Sequence, residues 1–106
     1  MIRLKQTVRV RNLQPQMALA AQVVEGCYRA AGITECWVTS ANDSKHMAGS
    51  LHYSGGALDF RMHNVPVTQR PVLVDKIRDS LGDDYDVLWE GANTPNEHLH
   101  VEYDAN

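Results

Sequence analysis

Two stretches of helical periodicity, each opened by a proline and closed by a glycine, frame what this chain can fold into. In the first, Pro15 precedes Met17, Ala20, Ala21, Val24, Cys27, Tyr28 and Ala31, which recur at three-to-four spacing until Gly32 offers a left-handed stop. The second is predicted over 68–81, with Thr68 as cap, Pro71 in the first turn, Leu73, Val74, Ile77 and Leu81 on one face, and Gly82 ending it. Each helix therefore has one apolar stripe that needs a second layer to bury it. The remaining apolar runs are short and rich in β-branched and aromatic residues, and predict strands over 7–10, 36–40, 57–62, 85–89 and 98–103. Because strands and helices do not alternate regularly, the expected fold is α+β: a mainly antiparallel sheet with the helices packed on one face and the other face open. The stretch 41–56 carries Asn, Asp, Ser, Lys, His and three glycines, too polar for a core, and reads as a loop bordering that open face.

A length of 106 residues predicts a single domain over 1–106, so any site must be built from this one fold. The apolar share of 43% and charged share of 22% suit a globular chain rather than a disordered one. A net charge of -3 provides no broad basic surface, which argues against nucleic acid and anionic membranes as partners. Arg3, Lys5, Arg9 and Arg11 make the N-terminus locally basic, but the apolar stretch from Met17 to Ala21 is short and soon interrupted by Gln22 and Glu25. The expectation is no signal peptide, no membrane span and a cytoplasmic location in the producing cell. Cys27 and Cys36 lack metal-site spacing; reduced, buried thiols are the preferred reading, with a bridge between them as the alternative.

Three of the five histidines, His52, His98 and His100, fall into two polar clusters. One is Ser50-Leu-His52-Tyr-Ser-Gly55-Gly-Ala57-Leu-Asp59; the other is Glu97-His98-Leu-His100-Val-Glu102. If 98–103 is extended, period two places Leu99, Val101 and Tyr103 on one face and His98, His100 and Glu102 on the other. Gly55 and Gly56 permit a tight turn after His52 that carries Asp59 back beside it. His52, Asp59 and His100 then form a two-histidine, one-carboxylate set, which suits Zn2+ and leaves a position open for water, the arrangement of a catalytic site. Glu97, three residues before His100, is the candidate general base.

These residues resemble a family of zinc peptidases that includes D-alanyl-D-alanine carboxypeptidases, dipeptidases and phage L-alanyl-D-glutamate endopeptidases. The family pattern Ser-x-His-x-x-Gly-x-Ala-x-Asp is matched by Ser50, His52, Gly55, Ala57 and Asp59, and the later Glu-x-x-His by Glu97 and His100. A weaker likeness at Trp37-Val-Thr-Ser40 extends the match over about two-thirds of the chain. The resemblance implies a hedgehog/DD-peptidase-like fold, zinc held by His52, Asp59 and His100, Glu97 as base, and a peptidoglycan stem peptide as substrate, cut next to a D-amino acid by a monomer acting on the cell wall. Two departures stand out. Many relatives follow the equivalent of Ser40 with an aromatic-arginine pair whose arginine steadies substrate or oxyanion, whereas this chain reads Ala41-Asn-Asp-Ser-Lys45-His46, leaving Lys45 or Ser50 to supply a substrate-binding donor. His98 forms a His-x-His pair with His100, as in related zinc peptidases where the first histidine lies in the site without binding metal, which makes His98 a candidate to share the acid/base role.

Blander readings stand beside these. Lys45, His46 and Arg61 read as ordinary surface or supporting residues, Trp37 and Trp89 as core aromatics, and Glu102 as either an exposed carboxylate or a group that orients His100. A zinc-stabilised binding or structural module of the same fold, without turnover, is the alternative function. An iron oxygenase triad fits poorly, because its first histidine and carboxylate normally lie closer in sequence on a larger all-β scaffold.

Overall fold

The computed structural model describes residues 1–6, 8, 13–41 and 56–104. In chain order the elements are β1 (Ile2–Leu4), α1 (Pro15–Ala30), β2 (Cys36–Ser40), β3 (Ala57–Arg61), a 3-10 turn (Val67–Gln69), α2 (Arg70–Leu81), β4 (Tyr85–Glu90) and β5 (His98–Tyr103). The five strands form one sheet in the order β1-β2-β3-β5-β4. The β1–β2 pairing is parallel and the other three are antiparallel, so the α+β expectation holds while the sheet is mixed. A parallel pair needs a long crossover, and the segment containing α1 provides it.

The first helix follows its periodicity closely. Met17, Ala20, Ala21, Val24, Cys27 and Tyr28 are buried, and Gly32 past its end has φ +86°. The second departs from expectation at its start. Thr68 does not cap it: Val67–Gln69 form a 3-10 turn that runs directly into α2, and Gln69 precedes the helix with helical torsions and no side-chain cap bond. Pro71, in the first turn, lacks the N–H a cap would satisfy, which reduces the need for one. The strand expected over 7–10 falls mostly outside the described residues; the N-terminal strand that is described is Ile2–Leu4.

Period-two alternation then separates the faces of the sheet. Val38, Leu58, Phe60, Leu99 and Val101 join the core built by Met17, Val24 and Tyr28 of α1 and Leu73, Val74 and Ile77 of α2. Between them on β3 and β5, Asp59, Arg61, His98, His100 and Glu102 are only half-buried and point away from the helices. Cys27 and Cys36 are free and buried. Among the described residues, no helix is long and apolar enough to cross a membrane.

Candidate functional site

The β3–β5 ladder pairs Asp59 with His100 and Arg61 with His98 across adjacent strands. That register joins residues 41 positions apart: His100 Nδ1 lies 2.7 Å from Asp59 Oδ1. On its other side His100 Nε2 lies 2.7 Å from Glu102 Oε1. An imidazolium donates through both nitrogens, and the hydrogen bond to Asp59 raises the His100 pKa to about 9, opposed by burial and supported by Glu102. The sequence reading of Glu102 as a group that orients His100 matches this contact.

The pair also suits a divalent metal. Zinc takes imidazole nitrogen and carboxylate oxygen at about 2.0–2.2 Å, so tetrahedral donors sit roughly 3.3 Å apart, slightly wider than the hydrogen-bonded pair. Modest opening of Asp59 from His100, with loss of the shared proton, would make room for an ion at the same two atoms. Glu102 would keep its bond to Nε2 and fix the ring orientation, the usual arrangement around a metal-binding histidine. The third expected ligand, His52, lies outside the described residues, as do Ser50, Lys45 and His46. Two of the three predicted ligands are thus brought together by the described strands. Elsewhere among the described residues, Asp86, Glu102 and Asp104 gather carboxylate oxygens within 4.8 Å of one another. They share Glu102 with His100 and form the acidic end of the same face.

Glu97 arrives from a different direction. The turn between β4 and β5 begins at Gly91, with φ +66°, and is tied by Thr94 N to Gly91 O at 2.9 Å and Glu97 N to Thr94 O at 3.1 Å. Glu97 is 4% exposed. Arg70 Nη1 donates to its Oε1 at 2.6 Å, and Trp89 Nε1 donates to its Oε2 at 2.7 Å. Arg70 is held in turn by Nε donating to Val65 O at 2.8 Å. Glu97 is therefore a buried, ion-paired group rather than a solvated loop carboxylate. It nonetheless borders a cleft of about 550 Å³ lined also by Asp59, Arg61, His63 and His98. His63 Nε2 approaches Pro95 O at 3.0 Å, and both residues line that cleft.

His98 lies on the same cleft, with Nδ1 2.7 Å from Asn96 O and Nε2 2.9 Å from Glu90 Oε1. Burial opposes its protonation, but the Asn96 carbonyl and the carboxylates of Asp59 and Glu90 outweigh that, so its pKa is raised. Sequence reading missed Arg70 altogether and left Arg61 and Trp89 in bland roles. Arg70 was detectable, since it shares a helical face with Leu73, Val74 and Ile77, and a buried arginine requires an acidic partner. Comparison with protein-family models finds no match, and a search of curated proteins finds none either.

Proposed function

We propose that this chain is a zinc-dependent peptidase with a hedgehog/DD-peptidase-like fold that cuts peptide bonds next to D-amino acids in peptidoglycan stem peptides, acting as a monomer on the cell wall. The observation that carries the reading is the meeting of the two sequence clusters: Asp59 and His100 face each other across β3 and β5 with donor atoms 2.7 Å apart and Glu102 behind the imidazole. Asp59 and His100 hold the metal, with His52 as the third ligand. Zinc bound there supplies Lewis acidity and an activated water. Glu97, at the border of the cleft, accepts a proton at a carboxylate oxygen and returns it to the leaving amine. Each of its oxygens accepts one bond from the protein and retains a further lone pair for that task. His98 lines the same cleft and supports the proton transfer.

The alternative is a zinc-stabilised binding module of the same fold. One observation favours it: the Arg70 and Trp89 contacts give Glu97 a structural reason to be present even without turnover. Digestion of purified peptidoglycan separates the two. A peptidase releases new amino groups when zinc-loaded, loses that activity to chelator and regains it with zinc, and mass spectrometry of the fragments names the bond. Folded, zinc-loaded protein that binds peptidoglycan and releases no amino groups is the module.

A further inference from the structure

The cleft beside the candidate ligands holds cations that neither the metal nor the core uses. Arg61 follows Asp59 by two positions on β3, so both side chains leave the same face of the sheet. Its backbone is pinned from beneath, where the buried Tyr28 hydroxyl donates to Arg61 O at 2.8 Å. Its guanidinium lies over the Trp37 ring, 4.7 Å from the centroid. A guanidinium held over an indole by this attraction still has N–H donors to offer, and a carboxylate can accept two of them in parallel. The other arginines of the described residues are committed: Arg3 to Glu35, Arg29 to Glu25, Arg70 to Glu97 and Arg78 to Asp75. Among the described residues Arg61 has no carboxylate partner, and Lys5 lines the same cleft without one.

A cation held over an indole, on a strand whose backbone is tied to Tyr28, and with no carboxylate partner among the described residues, is preorganised for an anion that comes from outside. The cleft that would receive it is the one bordered by Asp59, Glu97 and His98. We propose that Arg61, assisted by Lys5, is the subsite that binds a free carboxylate of the substrate peptide next to the bond being cut. This rests on the peptidase reading and supplies the substrate-holding arginine that the segment after Ser40 lacks. A stem peptide with lysine at its third position offers two such carboxylates, the C-terminal one and the α-carboxylate of a γ-linked D-glutamate, and the chemistry at Arg61 is the same for both.

The test uses zinc-loaded protein and three synthetic stem pentapeptides: one with both carboxylates free, one amidated at the C-terminus and one amidated at D-glutamate. Losing a charge-assisted bidentate contact costs roughly tenfold or more. Arg61→Gln is expected to raise KM on the free peptide by about that factor while changing kcat much less. One of the two amidations should reproduce the loss in the parent protein and greatly reduce the further effect of Arg61→Gln, and that amidation identifies the carboxylate. Arg61→Lys, which keeps the charge and loses the fork, should fall between. Equal losses on all three peptides, or no loss on any, overturn the assignment. Binding of the same peptides to the zinc-loaded protein, followed by calorimetry, keeps this separate from the catalytic reading. Carboxylate-dependent binding that vanishes in Arg61→Gln without any cleavage upholds the subsite and removes the peptidase, whereas cleavage indifferent to Arg61 does the reverse.

Discussion

At the scale of single residues, Glu97 and Arg70 decide how the candidate base is built and how far it was readable. Glu97 lies just before β5, where its carboxylate is buried against Arg70 of α2 while the residue still borders the cleft that His98 lines. Removing either partner strands the other's charge in a site whose side chains are 10% and 2% exposed. Arg70→Met and Glu97→Gln are each expected to cost about 3–5 kcal/mol, and the double variant should recover part of that loss. Urea unfolding of the four proteins measures the coupling, and a cost below about 1 kcal/mol for Arg70→Met would mean that water already screens the pair. In the folded fraction, Glu97→Gln should lower peptidoglycan hydrolysis by roughly 10²–10⁴-fold with bound zinc unchanged. Zinc content read by metal analysis alongside turnover separates a lost base from a lost metal. Neither the burial of Glu97 nor the identity of its partner, 27 positions away, was legible in the sequence, because both depend on how α2 docks.

At the scale of elements, the parts with strong periodicity were legible and the parts held only by the backbone were not. The α1 face and the two-sided β5 strand are where the pattern places them, because burial itself writes the pattern. The β1 strand is exposed at all three residues, so it leaves no alternation to detect; pairing to β2 and bonds such as Lys5 N to Val38 O at 2.9 Å define it. Glycines distinguish elements shaped by sequence from those shaped by a turn. Gly26 sits inside α1 with open space where a Cβ would go, so Gly26→Ala should stabilise by about 0.5–1 kcal/mol. Gly91 combines φ +66° with a Cβ position 3.0 Å from the Asn96 backbone oxygen, so Gly91→Ala should destabilise by about 1–2 kcal/mol and disturb the turn that presents Glu97. Chemical denaturation of the two variants should give opposite signs; the same sign for both would mean the β4–β5 turn is not held in this geometry.

At the scale of the whole molecule, one sheet divides its duties by face. The side toward α1 and α2 is apolar and carries the stability, while the other gathers Asp59, His98, His100 and Glu102 into a polar site. The α+β class was legible from the counts and spacing of elements, but the order β1-β2-β3-β5-β4 was not, because the last strand could pair with several neighbours until the Asp59–His100 register is known. That register links the site to overall stability. In metal-free protein the folded-state pKa of His100 is raised to about 9, above the unfolded value near 6.5, chiefly by Asp59. A base whose pKa is higher when folded binds more protons in the folded state, so its stabilisation is complete below about pH 6.5 and is lost as pH climbs through about 9. His98, also raised, contributes in the same direction. Melting temperatures recorded in chelator should therefore decline between pH 6.5 and 9, and His100→Asn should flatten most of that slope while lowering stability at the acidic end. A slope unchanged by His100→Asn would show that Asp59 and His100 are not paired in solution, and the cross-strand meeting on which the site is built would be lost with it.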